Sequence, residues 1–177
     1  MTVSVRDARD SAADRAWIER VYRDYLDDLA PLNTGIFPVL GEVGHREPDQ
    51  MAHWFADPNT LPLLIAQSSR PVGFAMVVRA SARASETAPE YRMAEFFVAR
   101  EHRRLGIGRS AVELILNRFS GRWEITEYTR NPDAVGFWRR VVARYTRGQY
   151  QERVANGEVR QLFVSGLRPE PTARGGR

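Results

Sequence analysis

Residues 93–119 read MAEFFVAREHRRLGIGRSAVELILNRF and divide into three parts. MAEFFVA (93–99) is a short apolar run rich in aromatic residues, the composition of a strand. SAVELILNRF (110–119) reads as a helix. Between them REHRRLGIG places two glycines, Gly106 and Gly108, at the mouth of that helix and flanks them with arginines. A helix start leaves several backbone N–H groups without partners, and glycines let an anion approach them closely. The junction therefore reads as a site for a phosphorylated ligand.

The chain has 177 residues, enough for one domain with a full core. Residues 1–166 are read as that domain, and the tail LRPEPTARGGR (167–177) as disordered. Hydrophobic residues make up 43% and charged residues 27%, the balance of a globular protein. No apolar run is long enough to span a bilayer, and MTVSVRDARDSAADRAW (1–17) lacks the apolar core of a signal peptide. A cytoplasmic location without a membrane partner is expected.

Cysteine is absent, which excludes disulfides, zinc-thiolate sites and thiol nucleophiles. His45, His53 and His102 are scattered without a ligand-like spacing, so no metal is expected. All 26 basic residues are arginine. The phosphate loop of nucleotide hydrolases needs Gly-Lys-Ser/Thr, and that class is excluded. The net charge of +4 is modest and its arginines are spread along the chain, so no nucleic-acid partner is indicated. A general preference for anionic ligands is the milder inference.

Along the chain, TVSVRDA (2–8) alternates as a first strand, and Ser11 caps a helix carrying Trp17, Ile18, Val21, Tyr25, Leu26 and Leu29 at helical spacing. Residues 33–48 carry loop signals, and PDQMAHWFA (48–56) reads as a short helix. LPLLIAQ (61–67) and VGFAMVVRA (72–80) form a hairpin about SSRP, and a polar connector leads to the strand before the glycines. RWEITEYT (122–129) alternates as a strand. NPDAVGFWRRVVARY (131–145) reads as a helix with Asn131 as cap and Pro132 in its first turn. GQYQERV and EVRQLFVSG close the domain as a hairpin around ANG. The order is strand, two helices, three strands, helix, strand, helix, two strands: an α/β (α+β) domain with a mixed sheet flanked by helices.

Two phosphate-binding patterns compete for the glycines. Gly106-x-Gly108-x-x-Ala111, with Glu127 about 20 residues further on, formally matches the dinucleotide fingerprint. In that fingerprint the first glycine follows its strand almost directly, whereas AREHRRL separates Val98 from Gly106 here, and too little chain follows to build the usual series of strand and helix units. The fuller pattern, Val98-AREH followed by Arg103-x-x-Gly106-x-Gly108 and a helix, resembles the acetyl-CoA signature of the GNAT acetyltransferase superfamily. Asn131, Ala134, Phe137 and Trp138 resemble its downstream motif. The segments are similar to those of small bacterial predicted acetyltransferases.

That resemblance implies a mostly antiparallel sheet that splays into a V between its fourth and fifth strands, with about four helices around it. The pantetheine arm of acetyl-CoA would lie in the V against the backbone near Phe96 and Val98. Backbone N–H groups of Arg103, Arg104, Leu105, Gly106, Ile107, Gly108 and Arg109 would face the pyrophosphate, with the Arg103 side chain structural. Asn131, Phe137 and Trp138 would border the cofactor, against the reading that Trp138 only packs in the core, and Arg139, Arg140 and Arg144 would lie on its adenosine side, against the reading of a solvated helical face. The Val98 amide is the candidate donor to the oxyanion. Glu95 is the candidate base, against the alternative that it merely pairs with an arginine; Glu124 and Glu127 are reserves. The family often carries an acidic tyrosine where this chain has Trp138, whose indole is no acid. Either Tyr128 replaces it, or the thiolate leaves unassisted, or the domain does not catalyse. Tyr22, Tyr25, Asp27 and Asp28 belong to the acceptor-facing part, where the aspartates would attract a cationic amine. The expected activity is transfer of acetyl from acetyl-CoA to a primary amine of a small molecule or peptide, by a monomer or homodimer. The alternative is a non-catalytic acyl-CoA-binding regulatory module.

Overall fold

The computed structural model describes residues 2–33, 48–80 and 85–166. The expected tail (167–177) and most of the loop between the first two helices lie outside them. Strand β1 (Val3–Asp7) leads to helix α1 (Ala12–Leu29), whose start is capped by Ser11 accepting the Asp14 N–H at 3.3 Å. Helix α2 (Pro48–Ala56) follows, then β2 (Thr60–Gln67), β3 (Arg70–Arg79) and β4 (Tyr91–Val98). Ser68 and Ser69 join β2 to β3 with positive φ of 47° and 71°, the backbone of a two-residue hairpin turn that follows the twist of its strands. Helix α3 (Ile107–Arg118), β5 (Arg122–Tyr128), α4 (Pro132–Thr146), β6 (Gln151–Ala155) and β7 (Glu158–Val164) complete the order read from the sequence.

The seven described strands form one sheet in the order β1-β2-β3-β4-β5-β7-β6. Every neighbouring pair is antiparallel except β4 and β5, which α3 joins as a crossover. On one face α1 and α2 pack Ile18, Tyr22, Tyr25 and Trp54 against Leu64, Phe74, Met76 and Phe97. On the other, α3 and α4 pack Val112, Ile115, Trp138 and Val142 against Ala75, Val77, Trp123 and Ile125. Trp123 is fully buried, stacks on Tyr91 at 5.2 Å and donates its indole N–H to the Phe119 carbonyl at 2.8 Å. Burial of each such large apolar side chain contributes roughly 1.5–3 kcal/mol.

β4 carries the decisive irregularity. Met76 faces Glu95 while Val77 faces Met93, so Ala94 is an extra residue on β4. A bulge of this kind bends its strand and increases the local twist. β4 and β5 pair only at Tyr91 with Trp123 and Arg92 with Glu124, and they part just where the bulge begins. This is the V expected from the resemblance. The extra residue also reverses which face each side chain meets: Tyr91 and Met93 join the core under α3 and α4, whereas Glu95 and Phe97 turn toward α1.

Helix α3 starts three residues earlier than its sequence pattern suggests. Gly106 is its N-cap with φ 79°, and Ile107, 2% exposed, is already packed in a core cluster with Ile65, Val72 and Ala111. A left-handed glycine followed by a buried isoleucine lets the helix begin inside the glycine loop.

Candidate functional site

The loop between β4 and α3 is built to keep the helix mouth open. Arg104 (φ 66°) and Gly106 (φ 79°) both take left-handed backbone, and no side chain caps α3. The Ser110 N–H returns to the Gly106 carbonyl at 3.1 Å, which leaves the amides of Ile107, Gly108 and Arg109 ahead of the helical ladder. A Cβ placed on Gly106 would meet nothing nearer than the Arg109 guanidinium at 3.9 Å. Open amides, a helix dipole and that guanidinium suit a diphosphate. Gly108 does a different job: a Cβ there would press on the Phe137 ring at 3.3 Å, so this glycine lets α4 approach.

Arg103 is fastened from two sides. Its Nε donates to the Val98 carbonyl at 2.7 Å and its Nη2 to Asp28 near the end of α1. Arg100 also donates to Asp28, through Nε at 2.8 Å. Burial pulls the Asp28 pKa upward, but the hydrogen bonds from Arg103 and Arg100 hold it below the usual carboxylate value. This corrects one expectation, since Asp28 anchors the loop between β4 and α3 rather than waiting for a cationic acceptor. Asp27 is exposed. Arg139 is engaged by Glu152 at 3.0 Å through Nε and 2.6 Å through Nη2, and Arg139, Arg140 and Arg144 all lie on an exposed helical face.

The V holds a cavity of about 150 Å³ bordered by Tyr25, Glu95, Glu127, Tyr128, Asn131 and Trp138, among others. Ala99 donates its N–H to Val72 of β3 at 2.9 Å. The alternation of the strand then turns the amides of Val98 and Phe96 toward the gap. On the α3 and α4 side Phe96 stacks on Phe137 at 5.8 Å and meets Trp138 edge-on at 5.3 Å. Asn131 accepts the Ala134 N–H at 3.1 Å, so it serves as helix cap while bordering the cavity. A larger hollow, about 1320 Å³, lies at the far end of the sheet beside Tyr145 and Phe163 and contains none of these groups.

Glu95 is 5% exposed and accepts the hydroxyl of Tyr25. Burial pushes its pKa well above the ordinary carboxylate range. Glu124, the first reserve, is paired with Arg92 at 3.2 Å. Glu127, the second, is 5% exposed, and neither of its oxygens has a hydrogen-bond partner among the described residues. Burial and the charge of Glu152 raise its pKa to about 8, against the pull of Arg139. The sequence places Tyr25 only in the acceptor-facing part; its link to Glu95 spans 70 positions and leaves no local signal.

Residues 9–142 match the model of the Acetyltransferase (GNAT) family, and the chain belongs to that family. Among solved structures it resembles an acetyltransferase from Thermus thermophilus, with 17% identity and TM-score 0.60 over 93% of this chain and 97% of that one. PaiA N-acetyltransferase from Thermoplasma acidophilum, solved with coenzyme A, matches at 10% identity and TM-score 0.62 over 93% and 99%. NAA60 from Arabidopsis thaliana, solved with acetyl-CoA, matches at 14% identity and TM-score 0.60 over 92% and 98%. No curated protein sequence matches the chain. Among the described residues no helix is long and apolar enough to cross a membrane, and no group of His, Asp and Glu could hold a metal.

Proposed function

We propose that the chain is an acetyl-CoA-dependent N-acetyltransferase that passes an acetyl group directly to a primary amine of a small molecule or peptide. The observation that carries this reading is the parting of β4 and β5 after Arg92 and Glu124, beside an open helix mouth and around a buried carboxylate, Glu95. The Arg103 amide already donates to the Arg100 carbonyl at 3.2 Å, so the amides of residues 104–109 would hold the pyrophosphate, and the backbone of Phe96 and Val98 the pantetheine arm. When bound, acetyl-CoA supplies an activated acyl group as a thioester. Family membership and the two solved relatives with CoA or acetyl-CoA support that donor.

Glu95 is the base. An alkylamine has a pKa of about 10.4 and reacts only as the neutral form, so a carboxylate whose pKa is raised by burial is suited to take its proton. Tyr25 orients that carboxylate from α1. Tyr128 shares the cavity and offers a hydroxyl to the acceptor. The Val98 amide, turned into the gap, is placed to meet a developing oxyanion.

The test is release of free CoA thiol from acetyl-CoA over a panel of polyamines, aminoglycosides and peptide N-termini. Turnover with one class supports the reading. Intact acetyl-CoA binding without turnover across the panel supports the second reading, a non-catalytic acyl-CoA-binding module, which Trp138 favours because an indole fills the place of an acidic hydroxyl.

A further inference from the structure

The two buried carboxyls of the cavity lie on opposite faces of the sheet. Glu95, displaced by the bulge at Ala94, faces α1 and meets Tyr25. Glu127 shares its face of β5 with Trp123 and Ile125, and those residues belong to the core under α3 and α4. The helix mouth that would hold the diphosphate belongs to α3, so the thioester arm reaches the gap from the face of Glu127. An acceptor approaches from the opposite face, beside Glu95. The sulfur stays with the arm when the acyl group leaves, and it therefore remains on the Glu127 side.

We infer that Glu127 is the general acid of the reaction, giving its carboxyl proton to the sulfur of CoA as the carbon–sulfur bond breaks. This rests on the acetyltransferase reading above. In that step the amine nitrogen bonds to the acyl carbon, the carbon–sulfur electron pair goes to sulfur, Glu127 protonates that sulfur, and Glu95 takes the proton from nitrogen. Proton transfer from Glu95 to Glu127 through solvent restores both groups.

Three observations support the assignment. Buried carboxyls are normally hydrogen-bonded, yet both oxygens of Glu127 are unpartnered among the described residues, at 5% exposure on the cavity wall. The nearest rival for its proton, Glu152 of β6, is already held by Arg139 of α4 and by Gln161 of β7 at 3.1 Å. The charged and titratable groups around Glu127 are Glu152 and Arg139, with Glu95, Tyr25, Tyr128 and Arg130 across the cavity. Burial first, then the charge of Glu152 against that of Arg139, brings its pKa to about 8, close to the value of about 8.5 for a thiol, which suits proton transfer between the two.

The first test needs no acceptor. CoA is bound to the protein and the ultraviolet absorbance of its thiolate is followed with pH in the parent, in Glu127→Gln and in Glu95→Gln. A carboxylate beside the sulfur opposes thiolate formation, so Glu127→Gln should lower the midpoint by roughly one pH unit and by more than Glu95→Gln does. Should Glu127→Gln fail to fold, Glu127→Met carries the same titration. A midpoint insensitive to Glu127 overturns the assignment alone, whereas CoA that does not bind at all overturns the acetyltransferase reading with it. Once an accepting amine is found, Glu127→Gln should slow transfer from acetyl-CoA roughly 100-fold. With the acetyl ester of a nitro-substituted aryl thiol, which leaves without a proton, the loss should shrink to a fewfold. Equal losses with both donors also overturn it.

Discussion

The hydroxyl of Tyr25, on α1, donates a hydrogen bond to the carboxylate of Glu95, on β4. One turn later the same helix presents Asp28, which holds Arg100 and Arg103 of the glycine loop. The end of α1 thus touches both the proposed base and the glycine loop. Tyr25→Phe should cut kcat roughly tenfold or more and leave acetyl-CoA affinity unchanged. Withdrawing a donor from a buried carboxylate costs about 1–3 kcal/mol. At about 2–4 °C per kcal/mol for a chain of this size, the melting point should fall by several degrees. Steady-state kinetics with a calorimetric melt check this, and full kcat would remove Tyr25 from the account.

Asp28→Asn should act on the cofactor instead. Its partners are partly solvated, with side-chain exposures of 73% for Arg100 and 40% for Arg103. Little stability is therefore at stake, about 0–1 kcal/mol. Loosening Arg103 also frees the Val98 carbonyl, so acetyl-CoA should bind several-fold more weakly while the KM of the acceptor changes less. The opposite pattern, a selective loss of acceptor binding, would restore Asp28 to the acceptor side.

The two loop glycines should respond differently to alanine. At Gly106 there is room for a methyl group, and the penalty is the left-handed backbone, about 1 kcal/mol. At Gly108 the methyl must displace the Phe137 ring and with it the stack on Phe96. Gly106→Ala should retain most CoA affinity and Gly108→Ala should lower the melting point further. Gly106→Asp, which brings a carboxylate to the anion site, should abolish binding. Titrations of the three variants with CoA check the order.

Glu127 makes stability depend on pH with a definite sign. The unfolded chain releases this proton near pH 4.5, whereas the folded chain keeps it up to about pH 8. Between those values the native state binds the extra proton, so its contribution is full below pH 4.5, declines as pH rises, and levels off above 8. Glu127→Gln removes this dependence. The variant should melt several degrees above the parent at about pH 8 and close to it at about pH 5. A constant difference across that range would contradict the burial of an ionisable Glu127.

Much of this was legible in sequence because it is local. Ser11 and Asn131 cap helices through bonds to residues three positions on, and the glycine loop announces itself by composition. The family motifs then implied the V and the candidate base. Three features escaped because they depend on pairing across the chain. The bulge at Ala94 is set by the register of β4 against β3, and without it Glu95 would face α4 rather than α1. Asp28 lies 72 and 75 positions from its two arginines, so its residue type could equally suggest a free acidic surface. Glu127 keeps the parity of Trp123 and Ile125, yet a glutamate at the end of a strand gives no sign in sequence that its carboxyl is buried without a partner. Only the α4 overlay and the pairing with β7 bury it.

The central claim is that the amides opening α3 receive a diphosphate whose thioester arm enters the gap between β4 and β5. Calorimetric titration of acetyl-CoA into the parent protein and into Gly106→Asp tests it most directly, with NAD as the rival ligand. The expected result is saturable one-to-one binding of acetyl-CoA by the parent, none by the variant and none of NAD by either. Absent binding of acetyl-CoA, or binding that Gly106→Asp leaves intact, would contradict it.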